Sequence, residues 1–125
     1  MSEPSVFRPN AISYLRLPAP DPRRAAAFYS AVFGWEVRSH ASEPAFTDGS
    51  GHMIGHFMPD LPVAGAAGAR PYIYVEAIDD TLAQITAQGG EVATAPYSEG
   101  DLWVATFRDP AGNEIGVWQQ GPRDS

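Results

Sequence analysis

The chain has 125 residues, a net charge of −7 and no cysteine. This length is enough for one domain with a real hydrophobic core, and the lack of cysteine excludes disulfides, thiolate metal ligands and thiol nucleophiles. All eight basic residues are arginine, so a lysine Schiff base is excluded as well. An acidic chain is poorly suited to bind a nucleic-acid backbone or an anionic membrane, and we expect neither partner.

The first half of the chain predicts the element order β-α-β-β-β. Residues 11–17 alternate in the manner of a strand. Asp21 is a good helix N-cap with Pro22 at the first helical position, and Gly34 is placed to end that helix. Further strands are predicted over residues 35–38, 44–48 and 52–58, with a turn at residues 48–51.

The second half repeats this order after a connector. Residues 60–69 are rich in glycine, alanine and proline without periodicity. We then predict a strand over residues 72–76, a helix capped by Asp79 and ended by Gly89 and Gly90, and strands over residues 91–94, 102–108 and 114–119. The loop at residues 96–101 fits a mobile lid, and the alternative is an ordinary hairpin connection between two strands.

This internal repeat is the main organising feature of the chain. The last strand of each half contains an Ile-Gly pair, at residues 54–55 and 115–116. We therefore predict an α+β protein in which residues 1–125 form one domain, with module one at about 11–60 and module two at about 70–120. Two copies of one open sheet can face each other and enclose a cleft for a ligand.

The chain carries two motifs in order: residues 21–29 running on to 33–35, and residues 107–113 leading into the last strand. Together they resemble the vicinal oxygen chelate superfamily, which includes glyoxalases, extradiol dioxygenases, fosfomycin-resistance enzymes and bleomycin-binding proteins. The resemblance covers about residues 11–119. It implies two βαβββ modules whose mixed sheet forms a cup. It also implies a homodimer, with the modules paired within one chain or exchanged between chains across the connector.

In metal-dependent members that the chain resembles, the metal ligands come from the first and last strands of each module. These positions fall on Tyr14, on Arg70 or Tyr72, on His56 or Gly55, and on Gly116. A catalytic divalent metal generally needs three protein ligands, and these positions supply His56 alone. We therefore expect no metal cofactor. The alternative is a divalent metal held by His52, His56 and Glu114, which could point into the cup together.

Aromatic side chains and one histidine are the candidate ligand-binding residues. They are Tyr14, His56, Tyr72, Tyr74, Trp103 and Trp118. Placing all five aromatic residues in the core would overfill a small domain, so some of them should line the cleft. We predict a metal-independent protein that sequesters a small, partly aromatic molecule, similar to the antibiotic-binding branch of the superfamily.

The alternative function is enzymatic. The chain would then be a lyase, isomerase or dioxygenase that uses His56 and Glu114, with His52 as a further candidate, as metal ligands or as acid and base. A third interpretation is an interaction module whose cup is filled by side chains. No apolar stretch approaches a membrane span and residues 1–11 lack the pattern of a signal peptide, so we expect a soluble, cytoplasmic protein.

Overall fold

The computed structural model describes residues 6–38 and 44–123. The chain divides into two compact units, Met1–Pro62 and Val63–Ser125. Within the described residues, each unit contains one helix and one four-stranded sheet.

The first unit has the predicted βαβββ order. Its elements are β1 (Tyr14–Pro18), α1 (Pro22–Phe33), β2 (Glu36–Val37), β3 (Ala45–Thr47) and β4 (Ile54–Met58). The strands are ordered β1-β4-β3-β2 across the sheet, with β1 parallel to β4 and the other pairs antiparallel. The sheet is therefore mixed, and its strands are shorter than the sequence predicts.

Local signals place α1 as the sequence predicts. The Asp21 carboxylate accepts a hydrogen bond from the Arg24 backbone N–H at 3.2 Å, and Pro22 begins the helix. Gly34 ends the helix in the left-handed conformation, with φ of 69°, which glycine adopts without steric cost. The two caps set where α1 begins and ends, and its buried face, which includes Tyr29, packs against the sheet.

Aromatic rings fill the core between α1 and the first sheet. Tyr29 stacks on Trp35 with ring centroids 4.6 Å apart, and Trp35 stacks on Phe46 at 4.8 Å. Phe46 in turn contacts Phe57 at 4.8 Å. Since this face of the sheet packs against the helix, alternate residues of β1 and β4 point to the opposite, open face.

The second unit repeats the topology. Its elements are β5 (Tyr72–Tyr74), α2 (Ile78–Ala87), β6 (Glu91–Glu99), β7 (Leu102–Arg108) and β8 (Glu114–Gln120). The strand order is β5-β8-β7-β6, with β5 parallel to β8. The predicted α+β class and the βαβββ repeat are thus confirmed. In the part of the chain that the structure describes, neither helix is long and apolar enough to cross a membrane.

The start of α2 differs from the prediction. Asp79 is not the N-cap but lies in the first turn, and the N-cap is Ala77, whose side chain makes no capping bond. The backbone N–H of Ile78 instead donates to the Gln119 side-chain oxygen at 2.7 Å. The helix is therefore capped by a residue 41 positions away, and no local sequence pattern predicts this contact.

The predicted lid at residues 96–101 is mostly strand. β6 continues to Glu99 through two irregularities in its pairing with β7, and only Gly100 and Asp101 form the turn before Leu102. Pro96 is tolerated because β6 ends the sheet, where a missing backbone donor breaks no ladder bond. The extension adds further side chains to the open face of the second sheet.

Candidate functional site

The second sheet has one face covered by α2 and one open face. Gln119 bonds to the first residue of α2, so its neighbour Trp118 points away from the helix. Strand register then defines two rows across the open face. They are Thr94, Thr106, Gly116 and Tyr72, and Tyr97, Val104, Trp118 and Tyr74.

A groove of about 380 Å³ lies on this open face. Its lining, which we call the aromatic groove, consists of Tyr72, Tyr97, Glu99, Leu102, Val104 and Trp118. The tyrosine rings are partly open to solvent, since Tyr72 is 43% exposed and Tyr97 is 40% exposed. Clustered exposed aromatic residues are typical of a binding surface.

Tyr74 and Trp118 form one side of this surface. Their rings meet edge to face, with centroids 4.9 Å apart and planes at 68°. Such contacts favour defined ring orientations, so Trp118 presents a fixed surface to the groove.

Gly116 shapes the wall of the groove through its missing side chain. The ring of Tyr72 lies over this glycine, and an added Cβ would overlap the ring atoms. Gly116 is one of the positions where the resemblance places a metal ligand. A side chain at position 116 would overlap the ring of Tyr72, so glycine at this position allows the ring to pack against the strand.

Glu114 is paired with a cation. Its carboxylate lies 3.3 Å from the Arg70 guanidinium, and its side chain is only 8% exposed. The hydrogen bond with the Tyr72 side chain raises the pKa of Arg70 above its ordinary value, and the charge of Glu114 adds to this effect while burial opposes it. Arg70 therefore stays protonated, and Glu114 is held as a counter-ion instead of standing free as a catalytic base.

In the first unit, His56 and Tyr14 meet on the open face. The Tyr14 hydroxyl and His56 Nδ1 share a hydrogen bond of 2.5 Å, and the Arg16 guanidinium lies 5.8 Å from the Tyr14 ring centroid. Gly55 faces the core, where an added Cβ would overlap the Leu15 carbonyl oxygen and the Phe46 ring. Of the two residues that the sequence left open, His56 is thus the one directed to the open face.

The residues of the alternative metal site do not fit a metal. β4 begins at Ile54, so His52 precedes the strand, in a turn where the Asp48 carboxylate accepts the Gly51 backbone N–H. The shared strand face expected for His52 and His56 is therefore absent, and Glu114 is bound to Arg70. Within residues 6–38 and 44–123, no group of three histidine, aspartate or glutamate side chains could hold a metal ion.

Trp103 lies apart from the other predicted aromatic residues. It pairs with Gln119 in the sheet register, so it points to the helix-covered face, opposite Trp118. The Arg123 guanidinium lies 5.2 Å from its ring centroid and pairs with Asp79 of α2 at 2.9 Å. Trp103 therefore packs beside the helix and does not line the aromatic groove.

Four residues of the groove are absent from the predicted ligand-binding residues, although two of them lie in the predicted lid. They are Tyr97, Glu99, Leu102 and Val104. Glu99 pairs with Leu102 across the two-residue turn Gly100-Asp101, and a Gly-Asp pair between alternating strands is a known hairpin signal. Applying that signal would have extended β6 and found Tyr97 and Glu99.

Comparison with known proteins identifies a family and several related chains. The family described as glyoxalase-like domain matches residues 14–118. A glyoxylase-like domain-containing protein of Didymella fabae is 34% identical over 97 residues, covering 71% of this chain and 76% of the relative. The anthracycline biosynthesis protein DnrV of Streptomyces peucetius is 30% identical over 134 residues, covering 92% of this chain and 49% of DnrV. The chain spans about half the length of DnrV and of two further curated relatives.

A solved structure shares the fold at lower identity. TnmS3, an antibiotic binding protein from Streptomyces sp. CB03234, gives a TM-score of 0.71 at 19% identity. The match covers 89% of this chain and 96% of TnmS3. At this identity the likeness concerns the fold.

Proposed function

The chain belongs to the glyoxalase-like family, and on that premise we propose that it binds and sequesters a small, flat, partly aromatic molecule in the aromatic groove. The observation that carries the proposal is the group of aromatic rings on the open face of the second sheet. Tyr72, Tyr97 and Trp118 surround a space of about 380 Å³, within the range of small-molecule sites. Aromatic side chains favour the binding of flat ligands, because aromatic rings stack on one another or meet edge to face.

The proposal includes binding without a metal. Its support is the chemistry of the residues at the expected metal-ligand positions and of Glu114 from the alternative metal site. Tyr14 is hydrogen-bonded to His56, Tyr72 covers Gly116, and Glu114 is neutralised by Arg70. A ligand held by such side chains is bound by stacking and shape.

The names of two similar proteins suggest a ligand class. DnrV is named for anthracycline biosynthesis, and TnmS3 is described as an antibiotic binding protein. An anthracycline is a planar polycyclic aromatic compound, which matches the groove. We propose this class for the first binding assay.

The test is a titration of daunorubicin, followed by its own fluorescence anisotropy, against the wild type and two tryptophan variants. Trp118→Ala removes a wall of the groove, and we expect Kd to rise about tenfold, the effect of losing about 1.4 kcal/mol of stacking. Trp103→Ala is the matched control, because Trp103 is similarly half-buried on the neighbouring strand but faces α2. Equal Kd values in the wild type and Trp118→Ala would refute the proposal, provided that circular dichroism shows both variants folded.

The Tyr14–His56 hydrogen bond favours a second candidate function. A phenol and an imidazole in contact can move a proton to or from a bound carbonyl compound, as a lyase or isomerase of this family would require. The hemithioacetal of methylglyoxal and glutathione is a direct substrate to assay. Turnover with the same pH–rate profile in the wild type and His56→Ala would exclude His56 from that chemistry. A homodimer and a cytoplasmic location stay predictions.

A further inference from the structure

Three glutamates lie on the strands of the second sheet, and they differ in their partners. Glu91 pairs with Arg108 at 3.2 Å, and Glu114 pairs with Arg70 at 3.3 Å. Glu99 has no ion pair and no side-chain hydrogen bond among the residues that the structure describes. It is therefore the glutamate of this sheet whose charge is uncompensated.

Glu99 is also part of the aromatic groove. It faces the same side as Tyr97, since Glu99 pairs with Leu102 and Tyr97 with Val104. It is the one charged side chain among the described lining residues. The carboxylate thus stands beside Tyr72, Tyr97 and Trp118, whose ring faces are themselves electron-rich.

This combination discriminates between ligand charges. An anionic group would be repelled by the carboxylate and by the ring faces, whereas an organic cation is attracted by both. Arg70 lies at the edge of the same face, where the Glu114 carboxylate compensates its charge. The net charge of −7 further raises the local concentration of cations.

We propose that the aromatic groove selects planar aromatic molecules that carry a protonated amine, with Glu99 as the counter-ion. This inference rests on the proposed function, since it concerns the chemical class of ligand for the same groove. The rings hold the flat body of the ligand, and the carboxylate accepts a hydrogen bond from the ammonium group.

The experiment compares two probes that differ in charge at one nitrogen. Daunorubicin carries a protonated amine on its sugar, and N-acetyl-daunorubicin has the same ring system with that nitrogen neutral. We expect the wild type to bind daunorubicin about fivefold more tightly, the effect of one exposed ion pair together with one cation–π contact. In Glu99→Gln the preference should fall to about twofold or less, the part that the ring faces supply, because daunorubicin loses the ion pair and the acetylated probe does not change.

Asp80→Asn is the control variant. It removes one negative charge from an exposed position of α2, on the helix side of the sheet, and so alters net charge as Glu99→Gln does. It should keep the fivefold preference. Raising the salt concentration should weaken daunorubicin more than the acetylated probe in the wild type.

The outcomes separate this inference from the proposed function. Equal affinities of both probes for the wild type, or a preference that stays about fivefold in Glu99→Gln, overturn the inference, while Trp118→Ala still reports whether the groove binds the rings. If the wild type binds neither probe, both the proposed function and the inference fail.

Discussion

Gly55 and Gly116 occupy the same position in the sequence repeat, yet we predict that replacing each by alanine changes stability and ligand affinity differently. In Gly55→Ala the new methyl group overlaps the carbonyl oxygen of Leu15, which belongs to the sheet backbone, and the ring of Phe46, which is fully buried. Relieving this contact requires β1 and β4 to separate, since Leu15 and Gly55 are partners in the sheet. Overpacking of this kind costs about 2–3 kcal/mol of folding free energy.

In Gly116→Ala the obstacle is a side chain at the surface. The methyl group overlaps the ring of Tyr72, which is 43% exposed and can rotate into solvent. Loss of the packing of this ring lowers the free energy of unfolding by about 1 kcal/mol. Alanine reduces the entropy of the unfolded chain, which raises the free energy of unfolding by about 0.4–1 kcal/mol. We therefore expect a free energy of unfolding within about 0.5 kcal/mol of the wild type.

The two variants also separate in binding. Gly116→Ala displaces a wall of the aromatic groove, so the Kd for daunorubicin should rise about tenfold, while the folded fraction of Gly55→Ala should bind normally. Urea denaturation gives the stabilities and fluorescence anisotropy gives the affinities. If Gly116→Ala acts through Tyr72, adding Tyr72→Ala should change Kd no further. Equal losses of stability in the two glycine variants, or full affinity in Gly116→Ala, would refute the reasoning.

Three further predictions concern single side chains. The Thr106 hydroxyl is buried without a hydrogen-bond partner among the described residues, so Thr106→Val should raise the free energy of unfolding by about 1 kcal/mol in urea denaturation, and a decrease would reveal a hidden partner. Gln119→Leu removes the acceptor for the Ile78 N–H and should destabilise the protein by about 1–3 kcal/mol, a loss that hydrogen exchange should localise to the start of α2. His56→Ala should leave the Kd for daunorubicin within about twofold, whereas a larger change would implicate the first unit in binding.

The sequence contains enough local information to predict the repeat and the first helix. Asp21, Pro22 and Gly34 act within one turn of their own positions, and the structure keeps all three roles. The cap of α2 could not be predicted in this way, because Gln119 reaches it only after the chain has folded. Asp79 was wrong as a cap because a favourable residue type does not show where the helix actually begins.

The candidate site was predictable in part. The alternation of Tyr72 and Tyr74 correctly indicates that they share a face, and Trp118 joins them through the strand register. The same alternation cannot relate Trp103 to Trp118, because they lie on different strands whose offset depends on the turn at residues 109–113. Matching the repeat by its glycines fails for a similar reason, since Gly55 faces the core and Gly116 faces the groove.

The strand that carries Tyr72 and Tyr74 has only three residues and ends its sheet, held by β8 on one side. Its attachment includes backbone bonds of 2.9 Å from Gly116 to Pro71 and from Val75 to Trp118. So short a segment can shift at little energetic cost, because few backbone bonds oppose the movement. If the aromatic groove binds ligands as proposed, we expect the two tyrosines on this short edge strand to accept ring systems of different widths, so that the groove binds a group of related compounds.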